Sequence, residues 1–260
     1  MTAAPPPAGM FRLAGKLVSR LGLGTMGLTG PGTWGTPADP FGAVQLLRSA
    51  VDDHGITHFD TADAYGPHTA EELVHRALYP YPERLLIATK VGMVRPAPNV
   101  WRPLGNPDYL RATVEQSLRR LGTDCLDLCY LHRNDPAFPF LDQVGTLADL
   151  QQEGKIAHIG LSKVGPEEIN EAATVITVAA VQNKLSQAVP DDAAHGAEHC
   201  RARGIPYIAY APLGSGALAE DGGVDAALRW LLELGDHIAP IPGTSSPAHL
   251  NELVKAASHT

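Results

Sequence analysis

The chain has 260 residues, 44% of them hydrophobic, which suits one large domain with a sizeable core. A formal charge of −8 at pH 7 argues against nucleic acid or an anionic membrane surface as a partner, since both want a basic face. Three cysteines with no CxxC pair leave no disulfide framework, and Cys125 and Cys129 in "CLDLCY" read as small buried hydrophobes.

Residues 1–15 are Pro-rich and read as a loose N-terminal segment, without the basic start and apolar core of a secretion signal. The longest wholly apolar runs, such as residues 178–181, are far too short to span a bilayer. A soluble, cytoplasmic protein is the expectation, with residues 16–260 as its one domain.

"GKLVSRLGLG" reads as a strand or hairpin, and the residues around Leu21–Gly24 count as the first strand of a series. Further short apolar runs follow at 56–59, 84–89, 125–131, 156–161, 178–182, 205–210 and 238–241. Segments of helical period lie between them. "TAEELVHRAL" has Thr69 and Glu72 in capping-box spacing, which predicts a helix start. In "NPDYLRATVEQSLRRLG", Leu110, Val114, Leu118 and Leu121 recur on one face, with Pro107 near the start and Gly122 as the stop. "DDAAHGAEHCRARG" opens on an Asp cap and ends on Gly204, and "SSPAHLNELVKAA" opens on Ser246 with Pro247 at its first turn. Eight strand-then-helix units, with apolar strands lacking period-two alternation, predict a (β/α)₈ barrel; a doubly wound open sheet is the alternative.

"GLGTMG" matches the dinucleotide fingerprint G-x-G-x-x-G, but it runs into "LTGPGTWGTPADP", which cannot be the helix that fingerprint requires. A Rossmann site is rejected, and the glycines read as a tight turn at the mouth of the first strand. In a barrel the chemistry stands at the C-terminal ends of the strands. Those ends carry Asp60, with Tyr65 five residues on, then Lys90, His132, Ser162-Lys163, Gln182-Asn183 and Tyr210, and finally a Gly/Thr/Ser loop. Singly, each is ordinary at a strand end; together they place an acid, a phenol, an amine and an imidazole on one rim.

"GLGTMGL", "HFDTADAYG", "IATKVG", "DLCYLHR", "HIGLSK", "AAVQNKLS", "AYAPLGSG" and "PIPGTSSPAHLNEL" resemble, in order, the signature segments of the aldo-keto reductases, and more weakly their bacterial pyridoxal reductase-like members. The resemblance spans residues 20–254. It implies a barrel enzyme that reduces a small carbonyl compound with NADP(H), or NAD(H), and a catalytic tetrad of Asp60, Tyr65, Lys90 and His132. Tyr65 would be the general acid, Lys90 its tuner, lowering the phenol's pKa, Asp60 the partner of Lys90, and His132 the ligand of the substrate oxygen.

The resemblance further implies that Ser162 and Gln182 hold the nicotinamide carboxamide and that Tyr210 stacks on its ring. Leu213 and Ser215 would serve the pyrophosphate, and Gly243, Thr244 and Ser245 the adenosine phosphate. Gly24, Thr25, Met26, Asp60, Lys163, His249 and Glu252 fall at further cofactor positions. Trp34 and Trp101, with Tyr65 and His132, either line the substrate pocket or, for the two tryptophans, cap the rim as packing residues. No metal-ligand spacing is present among the histidines.

Four departures from the family pattern stand out. Lys163 replaces the usual Asn, His249 replaces a frequent phosphate-binding Arg, and Leu253 replaces an adenine-contacting Asn, which together weaken a strong NADP preference. The fourth is length. "SGALAEDGGVDAALRW" is a shortened loop and helix after the seventh strand, and the chain stops at Thr260 without the usual C-terminal segment. A more open site is expected. Carbonyl reduction is the leading function; non-redox acid–base chemistry on the same tetrad, and a nucleotide-sensing regulatory subunit, are the alternatives. Oligomeric state is not legible.

Overall fold

A computed structural model describes residues 5–218 and 223–258. Ala14 and Gly15 both stand at positive φ, 47° and 76°, the twist that a two-residue hairpin turn requires. They join β1 (Met10–Leu13) to the antiparallel β2 (Lys16–Ser19). The segment expected to be loose therefore becomes ordered by Met10. Phe11 and Leu13 bury one side of β1 while Met10 and Arg12 stay out, an alternation too short to signal a strand on its own.

Beyond the hairpin run β3 (Leu23–Gly24), α1 (Pro40–Asp52), β4 (His58–Asp60), α2 (Thr69–Leu78), β5 (Leu86–Val91), and a small antiparallel pair, β6 (Met93–Val94) with β7 (Arg102–Pro103). Then follow α3 (Pro107–Leu121), β8 (Leu128–Leu131), α4 (Phe140–Gln152), β9 (Ile159–Ser162), α5 (Pro166–Ala172) and β10 (Val178–Lys184). The chain continues with α6 (Gly196–Arg203), β11 (Tyr207–Tyr210), α7 (Gly223–Glu233), β12 (Ile238–Ile241) and α8 (Pro247–Ser258).

Eight strands pair in parallel in the order β3-β4-β5-β8-β9-β10-β11-β12. The Gly22 and Gly24 amides donate to the carbonyls of Pro240 and Pro242, at 3.0 and 2.9 Å, so the first strand closes on the last. The fold is a (β/α)₈ barrel, and the open-sheet alternative falls. The glycines of "GLGTMG" serve this closure: a Cβ on Gly24 would stand 3.2 Å from the Ile241 carbonyl.

Both faces of each strand are buried, which explains the missing hydrophobic alternation. Outward residues such as Ile87, Cys129, Ile159 and Val181 pack under the helices. Inward residues Leu86, Ala88, Leu128, Tyr130, Ala180, Ile208 and Ala239 form a separate cluster with Phe11, Leu13 and Val18, so the β1–β2 hairpin plugs the barrel's lower end. Following each inward row upward by steps of two leads to the chemistry: Leu86-Ala88-Lys90, His58-Asp60, Tyr130-His132, Gly160-Ser162, Ala180-Gln182 and Ile208-Tyr210.

Two predicted helix starts differ. Thr69 is the first residue of α2 rather than its cap; His68 holds that place at φ 75°, and the Thr69 hydroxyl turns back to the Gly66 carbonyl. Asp191–Ala193 form a short 3₁₀ turn, and Asp192 caps the later-starting α6 by accepting from the Gly196 amide. The shortened loop after β11 lies partly outside the described residues, at 219–222.

Candidate active site

At the upper end of the barrel Asp60 closes β4 and Lys90 stands near the end of β5, and both side chains are buried. One Asp60 oxygen pairs with the Lys90 ammonium, and the other accepts from Gln182 Nε2 at 2.7 Å. Lys90 Nζ also donates to the Thr61 carbonyl at 2.9 Å and to the Tyr65 hydroxyl at 3.2 Å, so its three N–H groups are all spent. Thr25, just past the end of β3, fixes this arrangement from the neighbouring strand: its amide and hydroxyl both donate to the Asp60 carbonyl, at 2.9 and 3.1 Å.

The electrostatics follow from burial. Burial pushes the Lys90 ammonium down, but Asp60 and Tyr65 outweigh it and hold Lys90 above its ordinary value, as a fixed cation. Burial raises the Asp60 carboxyl, with Lys90 and Gln182 opposing. Burial also raises the Tyr65 phenol; Lys90 opposes this, in the expected direction, without overcoming it. Lys90 thus acts on the phenol in the expected direction, against a larger rise from desolvation. Burial and the nearby cations Lys90, Lys163, Arg133 and Arg95 push His132 well down, so its imidazole is neutral.

Tyr65, His132 and Trp101 meet edge to face, with centroids 6.0 to 6.5 Å apart. Trp101 is held by Arg95, whose guanidinium lies 3.5 Å from the ring centroid. Arg95 in turn donates to the carbonyls of Gly32, Ala64 and Val100, at 2.8, 2.9 and 2.9 Å, tying three loops together beside Tyr65. Sequence reasoning missed Arg95, because a guanidinium that binds only backbone carbonyls leaves no pattern of partner residues.

These groups border a cavity of about 900 Å³. Of the site residues expected from the sequence, all line it except Thr25, Lys90, Ser245 and Trp34. Thr25 and Lys90 are buried behind its lining, Ser245 is exposed, and Trp34 stands beside Arg95 at 5.9 Å, which makes it a packing residue. Trp101 is a pocket residue. Arg133 and Lys184 also line the cavity, and neither was singled out from the sequence.

Asp63, three residues past Asp60, is buried with one oxygen unpartnered. Next to it Glu71, fully buried, accepts from Thr89 and from Arg120, both at 2.6 Å, and pins α2 to β5 and α3. Among the described residues no helix is long and apolar enough to cross a membrane, and no cluster of three acidic, His or Cys groups forms a metal site.

The Aldo/keto reductase family model matches residues 20–226. An uncharacterised oxidoreductase of Schizosaccharomyces pombe is 42% identical over 263 residues, covering 96% of this chain and 85% of that protein. Pyridoxine 4-dehydrogenase of Escherichia coli is 38% identical over 270 residues, covering 95% of this chain and 92% of that protein. Among solved structures, an aldo-keto reductase from Klebsiella pneumoniae in complex with NADPH superposes with a TM-score of 0.78 at 25% identity, covering 99% of this chain and 90% of that one. The chain belongs to the aldo/keto reductase family of oxidoreductases.

Proposed function

We propose that the protein reduces an aldehyde or ketone to the alcohol, taking hydride from NAD(P)H and the proton from Tyr65. The observation that carries this reading is the buried relay in which Lys90 bridges Asp60 and the Tyr65 hydroxyl. Tyr65 stays protonated at neutral pH and so is ready as an acid. As its proton leaves for the developing alkoxide, the fixed Lys90 charge stabilises the phenolate. His132, neutral, offers an N–H to the same oxygen and orients the carbonyl. The edges of Tyr65, His132 and Trp101 keep water from the reacting atoms.

The residues present suit a nicotinamide. The Ser162 hydroxyl borders the cavity and makes no hydrogen bond to another described residue. Gln182, having donated to Asp60, keeps its amide oxygen as an acceptor. Ser162 and Gln182 thus provide for a carboxamide, and Tyr210 presents its ring. Leu213 and Ser215 would take the pyrophosphate, and Gly243, Thr244, His249 and Glu252 the adenosine end near the start of α8. The bound cofactor would supply the hydride. Two of the similar proteins, a dehydrogenase of pyridoxine and an aldo-keto reductase holding NADPH, support the same class of chemistry.

With His249 in place of an Arg, NADPH and NADH are bound with similar strength. The test is fluorescence titration with each cofactor, followed by carbonyl-dependent loss of reduced-nicotinamide absorbance. Binding with turnover is expected. Failure of both cofactors to bind would overturn the proposal and favour acid–base chemistry without hydride.

A further inference from the structure

Three cations stand on one side of the cavity with nothing to neutralise them. Arg133 follows His132 past the end of β8, Lys163 follows Ser162 past β9, and Lys184 closes β10; all three line the cavity. Among the described residues none of the three has an ion-pair partner, a state shared by several surface cations, but these three share one cavity. Two carboxylates line the same cavity. Asp60 is committed to Lys90, and Glu252 sits on α8 after β12, across the ring from β8 and β9.

Lys163 and Lys184 are exposed and Arg133 is half-buried, but other features set the group apart. Arg133 Nε is buried and has no acceptor. Lys163 adopts φ 56°, a left-handed conformation that a lysine takes only when its surroundings impose it, and its ammonium lies 5.5 Å from the Tyr210 ring centroid. Burial, with Arg133, Lys184 and Lys90, pulls the Lys163 ammonium down to about 8. His132 feels both Lys163 and Arg133, and Tyr210 feels Arg133. In a chain of net charge −8 the local sign is inverted.

We infer that Arg133, Lys163 and Lys184 form an anion subsite, with Lys163 serving it rather than the cofactor position that the family pattern gives it, and that the preferred substrate is a carbonyl compound carrying a carboxylate or phosphate. This specificity rests on the carbonyl-reductase reading above. A substrate whose oxygen meets Tyr65 and His132 extends its tail along the ends of β8 to β10, where the guanidinium and two ammonium groups await an acceptor. The adenosine-phosphate loop follows β12, which lies across the ring from β8, whereas the pyrophosphate residues Leu213 and Ser215 follow β11, the neighbour of Lys184's strand, so the effect of losing the cations on NADPH affinity decides which anion they serve.

The test uses a matched pair, 4-formylbenzoate and its methyl ester, with their alcohols for binding. In calorimetry on the NADPH-loaded protein, 4-(hydroxymethyl)benzoate binds about tenfold or more tighter than its ester, the scale of a charge-assisted hydrogen bond. The double variant Arg133→Gln, Lys184→Gln loses that difference, and the ratio of kcat/KM for formylbenzoate over ester falls in step. A circular dichroism melt confirms that the variant is folded; if it is not, raised salt, which screens the cations in the native protein, must erode the same ratio. Equal binding of acid and ester by the wild type overturns the inference. A parallel loss of NADPH affinity in the variant also overturns it, by assigning the cations to the cofactor. Discrimination in binding without turnover of either aldehyde keeps the subsite and sinks carbonyl reduction.

Discussion

The two ends of the barrel are built from the same inward-facing rows and differ in what those rows carry. At the lower end Leu86, Leu128 and Ala239 meet the hairpin residues Phe11, Leu13 and Val18 in a largely apolar layer, with His58 beside Leu86. At the upper end, two or four residues further along, the rows present Lys90, His132, Ser162, Gln182 and Tyr210. The lower end supplies stability through buried area, whereas the upper end places charges where burial opposes them. The barrel tolerates the second because the first is well made.

Lys90→Met breaks the upper end most severely. It leaves the Asp60 carboxylate buried without its cation, lowering stability by about 3–5 kcal/mol, and turnover falls by about 10³-fold or more. Denaturant unfolding and steady-state kinetics read the two losses separately. Leu13→Ala attacks the lower end alone. Stability falls by about 2–5 kcal/mol, with turnover of the folded enzyme nearly unchanged.

A pH series sharpens the contrast. His58, one inward step below Asp60, is fully buried with both ring nitrogens unpartnered, and burial together with Lys90 pushes it down to about 3. Its folded pKa is depressed, so between about 6.5 and 3 the unfolded chain binds a proton that the folded chain refuses. The stability contribution is fully present above about pH 6.5 and is lost as pH falls towards 3. His58→Leu should flatten this acid limb in denaturant titrations. Activity behaves otherwise. With Tyr65 raised and His132 lowered, turnover is level across neutral pH and declines only above the phenol's ordinary value of about 10. The smallest change expected is at His249. An Arg there should favour NADPH over NADH by about fivefold to tenfold in direct titration.

Much of the upper end was legible because its residues sit at strand ends in recognisable segments: Asp60, Tyr65, Lys90 and His132 each close or follow an apolar run. The eight strands were legible for the same reason, although most begin one to three residues later than their apolar runs, where the chain first reaches its neighbour. Arg95, by contrast, binds three carbonyls from three loops, and Glu71 meets Thr89 and Arg120 from other elements. Such contacts exist only after the loops have been brought together. Arg133 and Lys184 were overlooked because a strand-end cation ordinarily faces water; only the cavity they share distinguishes them. The β1 strand escaped because two buried side chains make too short a pattern.

The most direct measurement of the proton-donor assignment is Tyr65→Phe, read by NADPH binding and by carbonyl-dependent NADPH oxidation on the same preparation. The expected result is cofactor affinity within about twofold of wild type and turnover reduced by about 10²-fold or more. Full turnover in the variant would contradict Tyr65 as the proton donor, and with it the role assigned to the buried Asp60–Lys90 pair.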